Sequence, residues 1–309
     1  LAEKEGRSIA IRAKKGVLLA AGGFAQNASM REEFLPKPVS TKWTSAAEGN
    51  TGDAIRMGMK IGAAVDLMDD AWWGPAIMKP GDPPLFLLVE RSYPGSIIVN
   101  SAGRRFTNEA SSYIDVVHRM YECNRKDGVT IPAHFIMDQR FRNNYLLGLL
   151  SPGYTPKKLI ENGYIKKADT LRALAGEVGV DPDGLVATVE RFNAFARSGK
   201  DLDYGRGDSA YDRSYADPSV KPNPSLAPIE KPPFYSVDVY PGDLGTKGGL
   251  VTNELAQVLR EDGSIIDGLY AAGNTAASVM GNTYPGGGGT LGPAMTFGYI
   301  AGLHAAKRK

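Results

Sequence analysis

The sequence predicts an α/β protein in which one discontinuous domain is interrupted by a second, inserted one. Three observations carry that expectation. Both ends of the chain share one order, a short apolar strand, a glycine turn and a helix, while the middle does not. Composition shifts near Asp69 and again near Pro241, which places the split domain at 1–70 and 242–309 and the insertion at 71–241. The stretch Gly281-Asn282-Thr283-Tyr284-Pro285-Gly286-Gly287-Gly288-Gly289-Thr290-Leu291-Gly292-Pro293 empties directly into the apolar run Ala294–Ala306. Glycine serves where the chain takes φ > 0 or where a ligand touches the backbone.

Taken in order, Leu1 opens a charged segment that continues to Lys15, within which Ile9–Ala13 alternates weakly. Gly16–Phe24 is a short apolar strand stopped by Gly22 and Gly23, the usual entry to a nucleotide-contacting loop in a parallel sheet. Gly52–Ala63 has helical periodicity with a polar start. In the middle, Ser96–Asn100 reads as a strand followed by the turn Ser101-Ala102-Gly103, and Gly184–Ala196 as a helix begun by Asp181-Pro182-Asp183. Six prolines between Asp217 and Pro233 predict an extended connector. Gly248–Val251, Ala256–Leu259 and the turn Glu261–Ser264 predict a β-hairpin, and Leu269–Asn274 a second buried strand ending at a glycine. Thr290 is the expected N-cap of the last helix, with Pro293 tolerated in its first turn. That helix, interrupted by Gly298, Gly302 and His304, is expected to be buried, with Lys307-Arg308-Lys309 as its solvated end.

Composition narrows the function. Of 309 residues, 42% are hydrophobic and 23% charged, the balance of a globular chain with a sizeable core. A net charge of +2 and the lack of a basic tract argue against nucleic acid as partner. The single Cys123 excludes an internal disulfide framework, and a reducing cytosol is the default compartment. His118, His134 and His304 lack metal-ligand spacing, so no metal is expected. No stretch reaches the roughly 18 to 20 apolar residues of a membrane span, and no signal peptide is read at Leu1.

Five ordered motifs together carry a resemblance: Val17–Phe24, Thr51-Gly52-Asp53, Gly103–Glu109, Gly268–Asn274 and the glycine loop. In that order they resemble the flavoproteins of the fumarate reductase/3-ketosteroid dehydrogenase superfamily. Tyr284-Pro285-Gly286-Gly287-Gly288 resembles the 3-ketosteroid Δ1-dehydrogenase branch. The resemblance implies a Rossmann-like FAD-binding domain and an inserted α+β catalytic domain. No Gly-x-Gly-x-x-Gly in a strand–turn–helix context occurs in the chain, so the FAD-binding domain is expected to be incomplete, as in the C-terminal part of such an enzyme.

The same resemblance implies FAD-contacting positions at Gly22, Gly23, Asp53, Gly273, Asn274, Gly289, Thr290, Leu291 and Gly292. Asp53 and Asn274 would hold the polar parts of the flavin, while Thr290–Gly292 face the pyrimidine end of its ring. Tyr113 falls at the family's catalytic base, and Tyr284 O–H with the Gly288 N–H at the donors to the ketone oxygen. Fixed donors of that kind stabilise charge that develops only in the transition state. The plainer readings stay open: Asp53 as a helix cap, Gly22 and Gly23 as turn glycines, Tyr113 and Tyr284 as packing tyrosines. Trp72 and Trp73 are expected to fill core or line an apolar pocket, and one of Arg104 and Arg105 to pair with Glu109.

The activity this resemblance implies is 1,2-desaturation of a 3-oxosteroid or similar cyclic ketone, with an electron acceptor left unspecified. A Δ4-(5α) dehydrogenase shares the tyrosine pair and remains an alternative. A dicarboxylate reductase is disfavoured, because its His before Gly248-Gly249 and its loop Arg are absent from Thr246-Lys247 and Asn282–Pro285. A third reading is non-catalytic, a fragment unable to hold FAD alone. The expected location is cytoplasmic, peripheral to a membrane at most.

Overall fold

A computed structural model of the chain describes residues 2–126 and 128–308, so Leu1 and Lys309 of the expected terminal segments lie outside the described residues. Contacts divide the chain into two units: one up to Leu35, with Ala46–Ala71 and everything from Gly245 onward, the other Pro36–Ser45 with Trp72–Leu244. The segment Pro36–Ser45, expected in the split domain, groups instead with the middle of the chain.

In the first unit, Val17–Leu19 pairs in parallel with Ile265–Ala271, setting Leu18 opposite Tyr270. Parallel neighbours cannot be joined by a tight turn, and the long excursion between these two strands satisfies that constraint. The predicted hairpin is corrected in its pairing. Gln257–Leu259 folds across Glu261–Ser264 onto Ile265–Ala271, whereas Gly249–Leu250 pairs with Val65–Asp66. The helix predicted near residue 52 runs Asp53–Lys60 and starts from Gly52 in the left-handed region at φ 76°. Its Gly58 is required by packing: a Cβ there would stand 2.6 Å from the Leu250 side chain.

The last helix, Leu291–Lys307, packs Ala301, Phe297 and Ala305 against Tyr270 and Ala256, and His304 Nδ1 lies 2.8 Å from the Tyr270 hydroxyl. The expectation of a buried helix fails on its other side. Leu291, Met295 and Tyr299, each one turn from the next, are 68%, 73% and 68% exposed. Apolarity around the whole helix resembles burial, but the helix packs on the sides facing Tyr270 and Gly273–Thr275 and leaves the stripe of Leu291, Met295 and Tyr299 exposed. Thr290 does occupy the N-cap position, yet its φ and ψ are helical and its side chain makes no capping hydrogen bond.

The second unit is α+β. Its six-stranded sheet runs in the order Leu85–Phe86, Ala71–Ile77, Phe234–Thr246, Ala133–Asp138, Ser96–Val99, with Lys166–Ala168 paired to the start of Phe234–Thr246. The register sets Phe234 opposite Asp138 and Ser96 opposite Met137. Helices Leu171–Val178 and Pro182–Ser198 bury Leu174, Leu185, Val189 and Phe192 against Ile97, Val99 and Ile136. Asp181 caps the second of these through the Asp183 N–H, as its sequence predicts, and Gly199 closes it at φ 81°. The proline-rich connector is corrected in part: it turns at Pro218-Ser219 and Pro224-Ser225, where the carbonyls of Asp217 and Asn223 accept the N–H groups of Val220 and Leu226. It runs without turns only over 226–230, where the Asp138 carboxylate accepts the N–H of Glu230 and, next to it, that of Lys231 at 3.0 Å. Trp72 and Trp73 are core residues.

Candidate functional site

Within the first unit, the turn after Val17–Leu19 is locked from several sides. Asn50 Oδ1 accepts the Gly23 N–H at 3.0 Å, Thr246 Oγ1 accepts the Phe24 N–H at 3.0 Å, and Thr275 Oγ1 donates to the Gly22 carbonyl at 2.9 Å. A Cβ on Gly22 would stand 2.1 Å from Asn50 Oδ1, and one on Gly23 the same distance from Thr246 Oγ1. Both positions therefore require glycine for packing, and Gly22 for its φ of 79° as well.

An open cavity of about 300 Å³ lies over this turn. Gly22, Gly273, Asn274, Thr290 and Leu291 line it together with Leu18, Ala20, Ala272, Ala294 and Gly298. Residues from three separate segments thus converge on one concavity. Gly23, Asp53, Gly289 and Gly292 are not among its lining. Thr290 makes no capping hydrogen bond, and of the first N–H groups of Leu291–Lys307 that of Gly292 goes to the Gly288 carbonyl and that of Ala294 to the Thr290 carbonyl. What the helix start offers a ligand is therefore chiefly the positive end of its dipole. Small residues, backbone donors and a helix start form a cradle suited to the flat, polar edge of a flavin ring, and the residues present fit that group. Asp53 is placed otherwise. It is the first residue of its helix, accepts from Thr51 Oγ1 at 2.6 Å and pairs with Arg56 at 2.5 Å. Those two hydrogen bonds hold its carboxyl below the usual value.

The glycine loop presents Tyr284 as a buried side chain whose ring edge stands against Gly289, where a Cβ would be 3.2 Å from Cε2. Gly288 adopts φ 92°, a backbone conformation that favours glycine, and nothing stands near its missing Cβ. Its carbonyl accepts the Gly292 N–H at 2.8 Å, tying the loop to the helix start.

Beneath the loop lies a residue that the motifs do not reveal. Lys247 is fully buried; its Nζ donates to the carbonyls of Gly281 at 2.5 Å and Thr283 at 2.6 Å and sits 3.4 Å from Asp70 Oδ2. Burial pulls the Lys247 amine down, with Asp70 opposing. A lone lysine between Thr246 and Gly248-Gly249 was the available signal.

In the second unit, Tyr113 is buried and is the first residue of the helix Tyr113–Lys126. The Arg91 guanidinium lies over its ring, 5.8 Å from the centroid. Arg91 is wholly buried and donates to three carbonyls, Leu87 at 3.0 Å, Ser111 at 2.5 Å and Glu109. Burial pushes Arg91 down to about 10; Tyr211 and Tyr113 oppose that fall and Arg206 adds to it. Next to it, Arg105 grips Glu109 at 2.8 and 2.7 Å and Asp201 at 3.1 and 2.9 Å, while Arg206 reaches Glu109 at 3.2 Å. Burial alone would raise Glu109, but Arg105 and Arg206 outweigh it and hold the carboxyl low. The expected Glu109 partner is Arg105. Asp201 and Arg206, distant in sequence, carry no motif that would reveal them. Among the described residues no group of His, Cys, Asp or Glu is arranged for a metal ion, and no helix is long and apolar enough to cross a membrane.

Similarity to known proteins points the same way. A family model described as an FAD binding domain matches residues 1–291. The chain is 55% identical over 301 residues to a 3-oxosteroid 1-dehydrogenase of Mycobacterium tuberculosis (strain ATCC 25618 / H37Rv), covering 96% of this chain and 53% of that protein. It is 42% identical over 303 residues to a 4-oxocyclohexanecarboxylate 2-dehydrogenase of Sinomonas cyclohexanicum, covering 94% and 51%. The crystal structure of 3-ketosteroid delta1-dehydrogenase from Sterolibacterium denitrificans, in complex with 1,4-androstadiene-3,17-dione, is similar with a TM-score of 0.95 and 48% identity, over 99% of this chain and 56% of that one. The chain spans about half the length of the curated relatives it matches.

Proposed function

The chain belongs to the FAD binding domain family, and from that premise we propose that it is part of an FAD-dependent oxidoreductase that introduces a double bond into a 3-oxosteroid at the 1,2-position. What supports this reading most is the close likeness, over nearly the whole chain, to 3-oxosteroid 1-dehydrogenases. FAD, when bound, supplies the hydride acceptor that no side chain can provide. This chain's residues then have three tasks. Tyr113, as phenolate, takes the proton from the carbon next to the ketone. Tyr284 O–H and the Gly288 N–H donate to the ketone oxygen as negative charge develops on it. Gly22, Gly23, Asp53, Gly273, Asn274, Gly289, Thr290, Leu291 and Gly292 hold the flavin, a role supported for Gly22, Gly273, Asn274, Thr290 and Leu291 by their lining of one cavity.

A further part of the proposal is that the Rossmann-like domain is incomplete in this chain, which holds no Gly-x-Gly-x-x-Gly in a strand–turn–helix context and spans about half the length of its curated relatives. The 48% and 42% exposure of Val17 and Leu18 on an edge strand is consistent with that. The proposed division keeps the domain limits 1–70, 71–241 and 242–309, except that Pro36–Ser45 goes with the inserted domain. An apolar steroid favours cytoplasmic work at a membrane's periphery. A smaller ring ketone is the second reading, favoured by the likeness to the Sinomonas enzyme.

The test is anaerobic flavin absorbance of the full-length protein on adding a 3-oxo-4-ene steroid. Bleaching in the unaltered protein, lost in Tyr284→Phe and Tyr113→Phe, is the expected result. A bound flavin that stays oxidised with steroid and bleaches with a cyclohexanone carboxylate would replace the substrate and keep the fold.

A further inference from the structure

A phenol accepts a proton only as its phenolate, and an ordinary phenol stays protonated to about pH 10. Burial works against the charged form. Tyr113 is buried, so its use as a base at neutral pH requires a compensating charge close by. The second unit contains one. The Arg91 guanidinium lies 5.8 Å from the Tyr113 ring centroid, is 0% exposed, and cannot be screened by salt from that position.

Its anchoring is as informative as its charge. Arg91 reaches the carbonyls of Glu109 and Ser111, the residues that lead into Tyr113, and the carbonyl of Leu87 on its own segment. One side chain therefore fixes the approach to the helix Tyr113–Lys126 and faces the ring of its first residue. These hydrogen bonds go to neutral carbonyls, which satisfy N–H groups without cancelling the charge. The neighbouring Glu109 is differently engaged, between Arg105 and Arg206.

We propose that Arg91 is a positioning residue for the reaction, setting the place of Tyr113 and favouring its phenolate. The proposal rests on Tyr113 being the base. Other groups facing this pair set the balance. Tyr211 faces the same guanidinium and shares its attraction; Arg206 repels it. Glu90, beside it in the chain, is raised by burial, and Arg91 opposes that rise. Asp115, on the helix of Tyr113, is exposed to solvent.

The measurement is carbon-13 NMR of the full-length holoprotein labelled on its tyrosine rings, titrated with pH. The resonance missing from Tyr113→Phe identifies Tyr113. In the unaltered protein Tyr113 should titrate below the free-phenol value, and in Arg91→Gln about one pH unit or more higher. Arg91→Lys should retain most of the depression, and the acid limb of the kcat profile should move by the same amount. Titration of Tyr113 at or above about 10 in the unaltered protein overturns the inference without any Arg91 variant having to fold. An unshifted Tyr113 in Arg91→Gln, with Tyr113→Phe inactive, overturns the role of Arg91 alone. Full turnover by Tyr113→Phe overturns the base itself, and with it the need for Arg91.

Discussion

Glu109 shows how charges survive in this core. A carboxylate with no exposed surface is tolerable only because two guanidinium groups and the Ile98 N–H, at 3.2 Å, surround it. Removing its charge leaves Arg105 to pair with Asp201 and deprives buried Arg206 of its ion pair. Glu109→Gln is expected to cost about 3 kcal/mol of stability in urea melts at neutral pH. The sign with pH follows from the depressed carboxyl: its contribution is present above the ordinary carboxylate range and is lost as pH falls through the folded-state value. The gap between Glu109→Gln and the unaltered protein should therefore shrink on acidification. A gap independent of pH would mean that shape, not charge, matters at this position.

Among the elements, the glycine loop depends on what lies under it. Its own sequence is rich in residues with no side chain to pack, so its position must be imposed from outside. Lys247 does this by binding the carbonyls of Gly281 and Thr283, on either side of Asn282. Lys247→Met keeps the stem and removes the donors, at a cost of roughly 1.5 to 3 kcal/mol for charge-assisted bonds. Faster hydrogen exchange across residues 281–289 is the expected outcome, with slower turnover and an unchanged exchange rate in Ser96–Val99. Uniform acceleration everywhere would instead mark a general loss of stability. In the same loop Gly288→Ala should cost about 1 to 2 kcal/mol, because L-residues disfavour positive φ even where space is open.

Across the chain as a unit, the apolar face of Leu291–Lys307 is the feature that the described residues leave uncovered. Leu291, Met295 and Tyr299 form one exposed stripe, on a helix whose opposite stripe is well packed. In a protein as long as the curated relatives, this stripe is expected to be covered. Exchange of Leu291–Lys307 amides should then be slower in the long protein than in the present chain; equal rates would leave the face as open surface.

Much of this was legible in order along the chain. Whereas the grouping of Gly22, Gly273, Asn274 and Thr290 was legible only through the family resemblance, the strands Val17–Leu19 and Ile265–Ala271 and the helix begun at Asp181 follow from apolar runs, caps and glycine turns, which act over a few residues. Tyr284 stood out for the same reason, as the polar side chain inside a glycine run. The pairing partner of Gly249–Leu250, the exposed stripe on the last helix, Lys247 under the loop and Arg91 over Tyr113 were not legible. Each depends on residues brought together from distant positions, as Arg105 and Asp201 are across 96 residues. Local pattern specifies which backbone an amino-acid run prefers. Burial and charge balance are properties of the neighbours a side chain meets, and only the folded chain supplies those.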